Sequence, residues 1–141
     1  METQQSNSLP DINQTVTFKA PILKVWDAVS TAQGLSAWFM PNDLEAVVGH
    51  EFKIDAGPFG IQACLVKEVE APNRISFGWG KDWTITILLK DLADNQTECT
   101  LIHAGWKTDI IEHGMPHALI RDRMNEGWIG LQSALGKYVE A

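Results

Sequence analysis

The stretch Pro116–Tyr138 most constrains what this chain can fold into, because it predicts one long amphipathic helix with a single apolar stripe. Its large apolar residues fall at Ile120, Met124, Trp128, Leu131, Leu135 and Tyr138. Spacings of four, four, three, four and three return to one face of a helix with 3.6 residues per turn. Arg121, Asp122, Glu126, Gln132, Lys137 and Glu140 fall mostly on the other face. Gly127, beside Trp128, is expected to let another backbone approach closely. A stripe of that length needs a broad complementary surface, and the upstream strands can provide one as a sheet beneath the helix.

Those strands are legible from alternation and turn chemistry. Ile12–Lys19 alternates and predicts a first strand. Pro21 then opens a helix as a first-turn proline, with Ile22, Val25, Trp26 and Val29 at helical spacing. Thr31 caps a second short helix that carries Leu35, Trp38 and Phe39 and stops at Pro41-Asn42-Asp43. From there to Trp106 the period is that of strands: Leu44–Val48, His50–Asp55, Gly60–Val69, Arg74–Trp79, Trp83–Asp91 and Thr97–Trp106. The connections are short and rich in Gly, Pro, Asn and Asp, which favours an antiparallel meander. Thr84 and Thr86 are expected to face outward. In Gly60–Val69 the apolar parity changes between Ile61/Ala63/Leu65 and Val66/Val69, which predicts a bulge. Residues 1–11 are polar and read as a disordered tail, leaving 12–141 as a single domain. The expected class is α+β, with helices on one face of an antiparallel sheet of about six or seven strands.

Composition narrows the function classes. Eleven Lys and Arg against eighteen Asp and Glu give a formal charge of −7, which disfavours nucleic acid and anionic membrane as partners. Cys64 and Cys99 match no zinc spacing and read as small apolar residues of a reducing compartment. The first ten residues contain no apolar segment of the kind that directs secretion, and a cytoplasmic location is expected.

The order of elements and several local motifs resemble the helix-grip (START-like, SRPBCC) superfamily. More narrowly, they resemble the family related to the activator of heat-shock protein 90 ATPase. The residues that carry the resemblance are Ala20-Pro21, Val25-Trp26-Asp27-Ala28, Trp38-Phe39 and Glu68-Val69-Glu70-Ala71-Pro72-Asn73-Arg74-Ile75. Phe77-Gly78-Trp79, Thr100-Leu101-Ile102-His103-Ala104-Gly105-Trp106 and Gly127-Trp128-Ile129-Gly130-Leu131 complete them. The resemblance implies a curved sheet gripping the last helix, two short helices after the first strand, and a gap that often holds an apolar ligand.

On that basis a ligand site is expected from Trp38, Phe39, Phe52, Phe59, Phe77, Trp79, Trp83, Ile85, Leu101, His103, Trp128 and Leu131. The ligand class is a small hydrophobic molecule, lipid-like or aromatic. A packed core rich in Trp remains open as the alternative use of the same residues, Trp106 among them. An empty rigid cavity of about 300 Å³ would cost on the order of 7 kcal/mol, so side chains, water or ligand must fill the space. Strand parity turns His103 inward, where it either orients a ligand or bonds a neighbouring carbonyl or indole. His113 and His117 are four apart, but Gly114 and Pro116 intervene, and no metal site is expected. No catalytic group and no cofactor are expected. Two further functions stay open: a stress-response partner of a chaperone ATPase, and a polyketide cyclase or aromatase-like enzyme. A monomer or weak homodimer is expected.

Overall fold

The computed structural model describes residues 9–80, 82–107, 111–112 and 115–141, with only the backbone at 59, 111 and 112. Strand β1 (Ile12–Phe18) leads into helices α1 (Ile22–Ser30) and α2 (Ala32–Trp38). Strand β2 (Glu51–Asp55) and a 3-10 turn (Gly57–Phe59) precede β3 (Ile61–Glu70), β4 (Arg74–Trp79), β5 (Trp83–Ala93) and β6 (Gln96–Ala104). A two-residue pair, β7 (Ile111–Glu112) and β8 (Met115–Pro116), comes before α3 (His117–Val139).

The main sheet has six strands in the order β1-β6-β5-β4-β3-β2, and every neighbouring pair is antiparallel. Four consecutive hairpins build β2 to β6, and β1 closes the far edge against β6. Its register sets Ile12 opposite His103 and Phe18 opposite Thr97. The expected bulge is present as a register shift between Val66 and Glu68. At the β5–β6 turn Asp94 and Asn95 take φ of 54° and 57°, the left-handed conformation that short polar side chains tolerate. Helices α1 and α3 pack against the sheet and against each other, which is the helix-grip arrangement.

Local chemistry explains the helix starts. Pro21 is extended (φ −68°, ψ 152°) and stands just before α1 as its cap, not within the first turn. The Thr31 hydroxyl accepts the Gly34 N–H at 3.0 Å and so starts α2. Leu44–Val48 is not a strand. The Asn42 side chain accepts the Leu44 N–H at 2.9 Å, and Asp43 Oδ1 accepts the Lys53 N–H at 2.7 Å. Side-chain oxygens thus replace a ladder there, apart from one bridge between Asn42 and Ile54.

Three expectations about surfaces need correction. Thr86 is on the outer face yet buried, sharing a 3.2 Å bond with the Ser76 hydroxyl across the β4–β5 pair. Among the described residues nothing lies within 4 Å of where a Cβ on Gly127 would stand, so none of their backbone approaches it. The close approach is at Gly136, where the Phe18 ring lies 3.1 Å from that position. The α3 stripe runs through Trp128, Gln132, Leu135 and Val139, while Tyr138 is 40% exposed. Gln132 is drawn inward because its Nε2 donates to Gln14 Oε1 on β1 at 3.3 Å. Of the expected tail, residues 1–8 lie outside the described residues. Residues 9–11 are held: the Leu9 N–H donates to Trp106 O, and the Arg121 guanidinium donates to the carbonyls of Pro10 and Asp11.

Candidate functional site

Period-two alternation on three adjacent strands turns one set of rings toward α3. Strand β4 contributes Phe77 and Trp79, β5 contributes Trp83 and Ile85, and β6 contributes Leu101 and His103. The ladder pairs Trp79 with Trp83, Phe77 with Ile85, and Ile85 with His103. From above, α3 lowers Trp128, and the residue after α2 lowers Phe39. Trp128 and Phe39 stack at 5.4 Å with planes 12° apart, and Trp79 meets Phe39 edge-on at 5.9 Å.

His103 is the hub of this cluster. Its ring lies 5.8 Å from Trp79, 4.9 Å from Trp83, 4.6 Å from Trp106 and 6.0 Å from Trp128, centroid to centroid. The Trp128 indole N–H donates to His103 Nδ1 at 2.9 Å, and the Trp106 indole N–H donates to the His103 carbonyl at 3.0 Å. Because Nδ1 accepts, the neutral ring must carry its proton on Nε2. Burial pushes the His103 pKa down to about 3, and the charge of His117 adds to that effect. The imidazole is therefore neutral near pH 7, and its basic nitrogen is already engaged. It can donate a hydrogen bond from Nε2 but is poorly placed to act as a general base.

The residues expected to line a site divide in two. Phe39, Trp79, Trp83, His103 and Trp128 join into one ring cluster. Phe52, Phe77, Ile85 and Leu101 form an apolar floor beside it, with Phe52 and Phe77 edge-on at 5.3 Å. Leu131 is half-buried against the same core. Trp38 touches Phe39, but its indole N–H is committed to the Ala28 carbonyl at 2.8 Å, which ties α2 to α1. The Phe59 side chain lies outside the described residues.

Trp106, expected in the aromatic set but not among the ligand-site residues, and His117, weighed only as half of a metal pair, both belong to the cluster. Trp106 follows Gly105, whose φ of 101° breaks strand parity, so alternation could not place it. A Cβ at Gly105 would collide with the Asp82 carbonyl, which explains the glycine. His117 is fully buried against the Trp83 and Trp106 rings, and its Nδ1 accepts the Lys107 N–H at 3.3 Å. His113 lies outside the described residues. Among those described, no three His, Cys, Asp or Glu side chains cluster as metal ligands would.

Among the described residues, three donors in the cluster lack partners: the Trp79 and Trp83 indole N–H groups and His103 Nε2, all buried. An unsatisfied buried donor costs about 1–3 kcal/mol, so three together are a conspicuous exception to the rule that buried polar atoms are paired. Asp82 Oδ2 and Gln132 Oε1 are buried without partners as well. Away from this cluster, a surface groove of about 400 Å³ runs between Pro41–Asp43, Lys53–Asp55 and Ile61 at the β2 edge. Among the described residues no helix is long and apolar enough to cross a membrane.

Comparison with known proteins gives the relationship. The family model described as activator of Hsp90 ATPase homolog 1-like protein matches residues 19–140. The solution structure of BH1534 from Bacillus halodurans is 43% identical, with a TM-score of 0.86 over 95% of this chain and 99% of that one. MLL2253 from Mesorhizobium loti is 21% identical, with a TM-score of 0.80 over 91% and 95% of the two chains. An Aha1 solved as a dimer, from Colwellia psychrerythraea, is 18% identical, with a TM-score of 0.77 over 94% and 97%. These last two likenesses concern the fold alone. No curated protein matches the chain.

Proposed function

The chain belongs to the activator of Hsp90 ATPase homolog 1-like family, and from that premise we propose that it binds a small hydrophobic molecule between the sheet and α3. The observation that carries the reading is a set of ring N–H donors left unpartnered inside an aromatic cluster, at Trp79, Trp83 and His103. A protein core has no reason to keep three such donors without acceptors, whereas a binding site for a guest does. Aromatic walls contribute apolar contact area, and the N–H groups orient what lies between them. The rings approach one another closely, so a guest would enter by moving the half-buried ones. Phe39 and Trp83 are in that class, and Leu131 and Met124 flank them on the helix side. This is a binding chemistry. With its Nδ1 engaged by Trp128 and its pKa pushed down, His103 is a poor base for a cyclase or aromatase reading.

The fluorescent apolar probe N-phenyl-1-naphthylamine tests the reading. Its emission should rise on mixing, and a saturating amount at about 100 times Kd should stabilise the fold by about 2.7 kcal/mol, or about 5–10 °C in melting temperature. Unchanged probe emission together with an unmoved melting temperature would refute the reading.

A second reading, docking on a chaperone ATPase, draws support from the family description and from exposed apolar side chains at Val47, Val48, Ile61 and Leu65. Ile61 and Leu65 share one face of β3 by parity. Size-exclusion chromatography with the chaperone would separate this reading from ligand binding, because it needs no small molecule.

A further inference from the structure

The three unpartnered groups in the cluster are of one kind. The Trp79 and Trp83 indole nitrogens can only donate, and His103 Nε2 donates because Trp128 occupies Nδ1. Their rings are mutual neighbours, with Trp79 5.2 Å from Trp83 and His103 within 5.8 Å of both. A group placed among them gains only if it accepts hydrogen bonds. An alcohol or amine would bring a donor of its own, for which none of these three groups is an acceptor. The charge setting narrows the choice further. The buried polar residues among those described include no Lys or Arg, and Asp82, next to Trp83 in the chain, has a buried oxygen of its own without a partner. The chain carries a formal charge of −7, and His103 is neutral. An anion would lose its water without gaining a counter-charge. The flanking surfaces are ring faces, namely the Phe39–Trp128 stack and the Trp79–His103 pair at 24°.

Resting on the binding reading above, we propose that the ligand is a flat aromatic molecule bearing an uncharged carbonyl, whose oxygen is received by the ring N–H groups of Trp79, Trp83 and His103. A carbonyl oxygen has two lone pairs, so it takes two of these three donors directly and the third by sharing a lone pair. Its conjugated plane matches the ring-lined walls.

Three probes of nearly equal shape separate the possibilities: 2-acetylnaphthalene, 2-isopropenylnaphthalene and 2-naphthoate. Calorimetry gives their affinities, and the indole N–H resonances of ¹⁵N-labelled protein give the place of binding. The ketone should bind at least about tenfold tighter than the alkene, the equivalent of one to two net hydrogen bonds. The Trp79 and Trp83 indole N–H signals should move downfield with the ketone and not with the alkene. Trp79→Phe and Trp83→Phe keep a ring but remove the donor, and each should shrink the ketone's advantage. If those variants unfold, the unmodified protein's ketone-to-alkene ratio and its indole shifts still decide. Equal affinities for ketone and alkene, with indole signals moving alike, would overturn the carbonyl assignment while leaving an apolar binding site standing. Tighter binding of the naphthoate would overturn the uncharged class. Absence of binding by all three, or binding with the indole signals unmoved, would overturn this proposal, while the naphthylamine probe decides the binding reading separately.

Discussion

Lowering the pH should destabilise this protein through His103, by an amount set by the burial of its ring. The imidazole is fully buried, and its pKa is pushed down from 6.5 to about 3, by burial first and by the His117 charge second. Protonating Nδ1 would also set two donors against each other, since the Trp128 N–H already points there. The folded pKa lies below the unfolded one, so between these values the unfolded chain binds the extra proton. Stability is then complete above about pH 6.5 and declines as the pH falls toward the folded value. At pH 4.5 the unfolded imidazole is almost wholly charged and the folded one almost wholly neutral, a difference of two decades, or about 3 kcal/mol. That is a large share of a typical domain stability of roughly 5–15 kcal/mol. Carboxylates titrate in the same window, so the comparison is with His103→Gln, whose side-chain oxygen can still accept from Trp128 but cannot take up a proton. Urea unfolding of both proteins at pH 7 and pH 4.5 should show a loss about 3 kcal/mol greater for the unmodified chain. Equal losses, or a folded-state His103 resonance that titrates near 6.5, would show that burial does not hold this ring neutral.

Two further outcomes follow from the packing. Gly127→Ala on α3 meets open space and should stabilise by about 0.8–1 kcal/mol through helix propensity, read from denaturant midpoints, whereas Gly136→Ala must displace the Phe18 ring and should fall short of that gain or reverse it. Destabilisation by Gly127→Ala would mean that something packs on that face in solution. Burial raises the Cys64 and Cys99 thiols to about 12, with Asp43 adding to the effect at Cys64, so both should resist alkylation by iodoacetamide at pH 8 until urea unfolds the chain. Modification of either thiol as fast as a free peptide would refute that protection.

The sequence by itself determined the elements and their order, because period and turn chemistry are local properties. Arg74–Trp79 was readable to the residue, since alternation runs cleanly between two turns, and the Val66/Glu68 bulge was readable as a break in parity. Thr31 declared itself as a cap by its position before a helical pattern. The inward set of rings on β4, β5 and β6 followed from the same period, so much of the candidate site was named in advance. Leu44–Val48 misled because apolar content does not reveal that Asn42 and Asp43 will satisfy the neighbouring backbone themselves.

Only the tertiary structure decided what the rings do to one another. That Trp128 donates to His103 across 25 positions depends on where α3 crosses the sheet, which no local pattern specifies. Trp106 joins the cluster through a left-handed Gly105, and His117 through the start of a helix, neither of which follows a strand's parity. The same contact assigns the His103 proton to Nε2, a buried donor without a partner among the described residues. Periodicity tells which side of an element is apolar, and only the meeting of distant elements tells which polar atoms inside are left without partners.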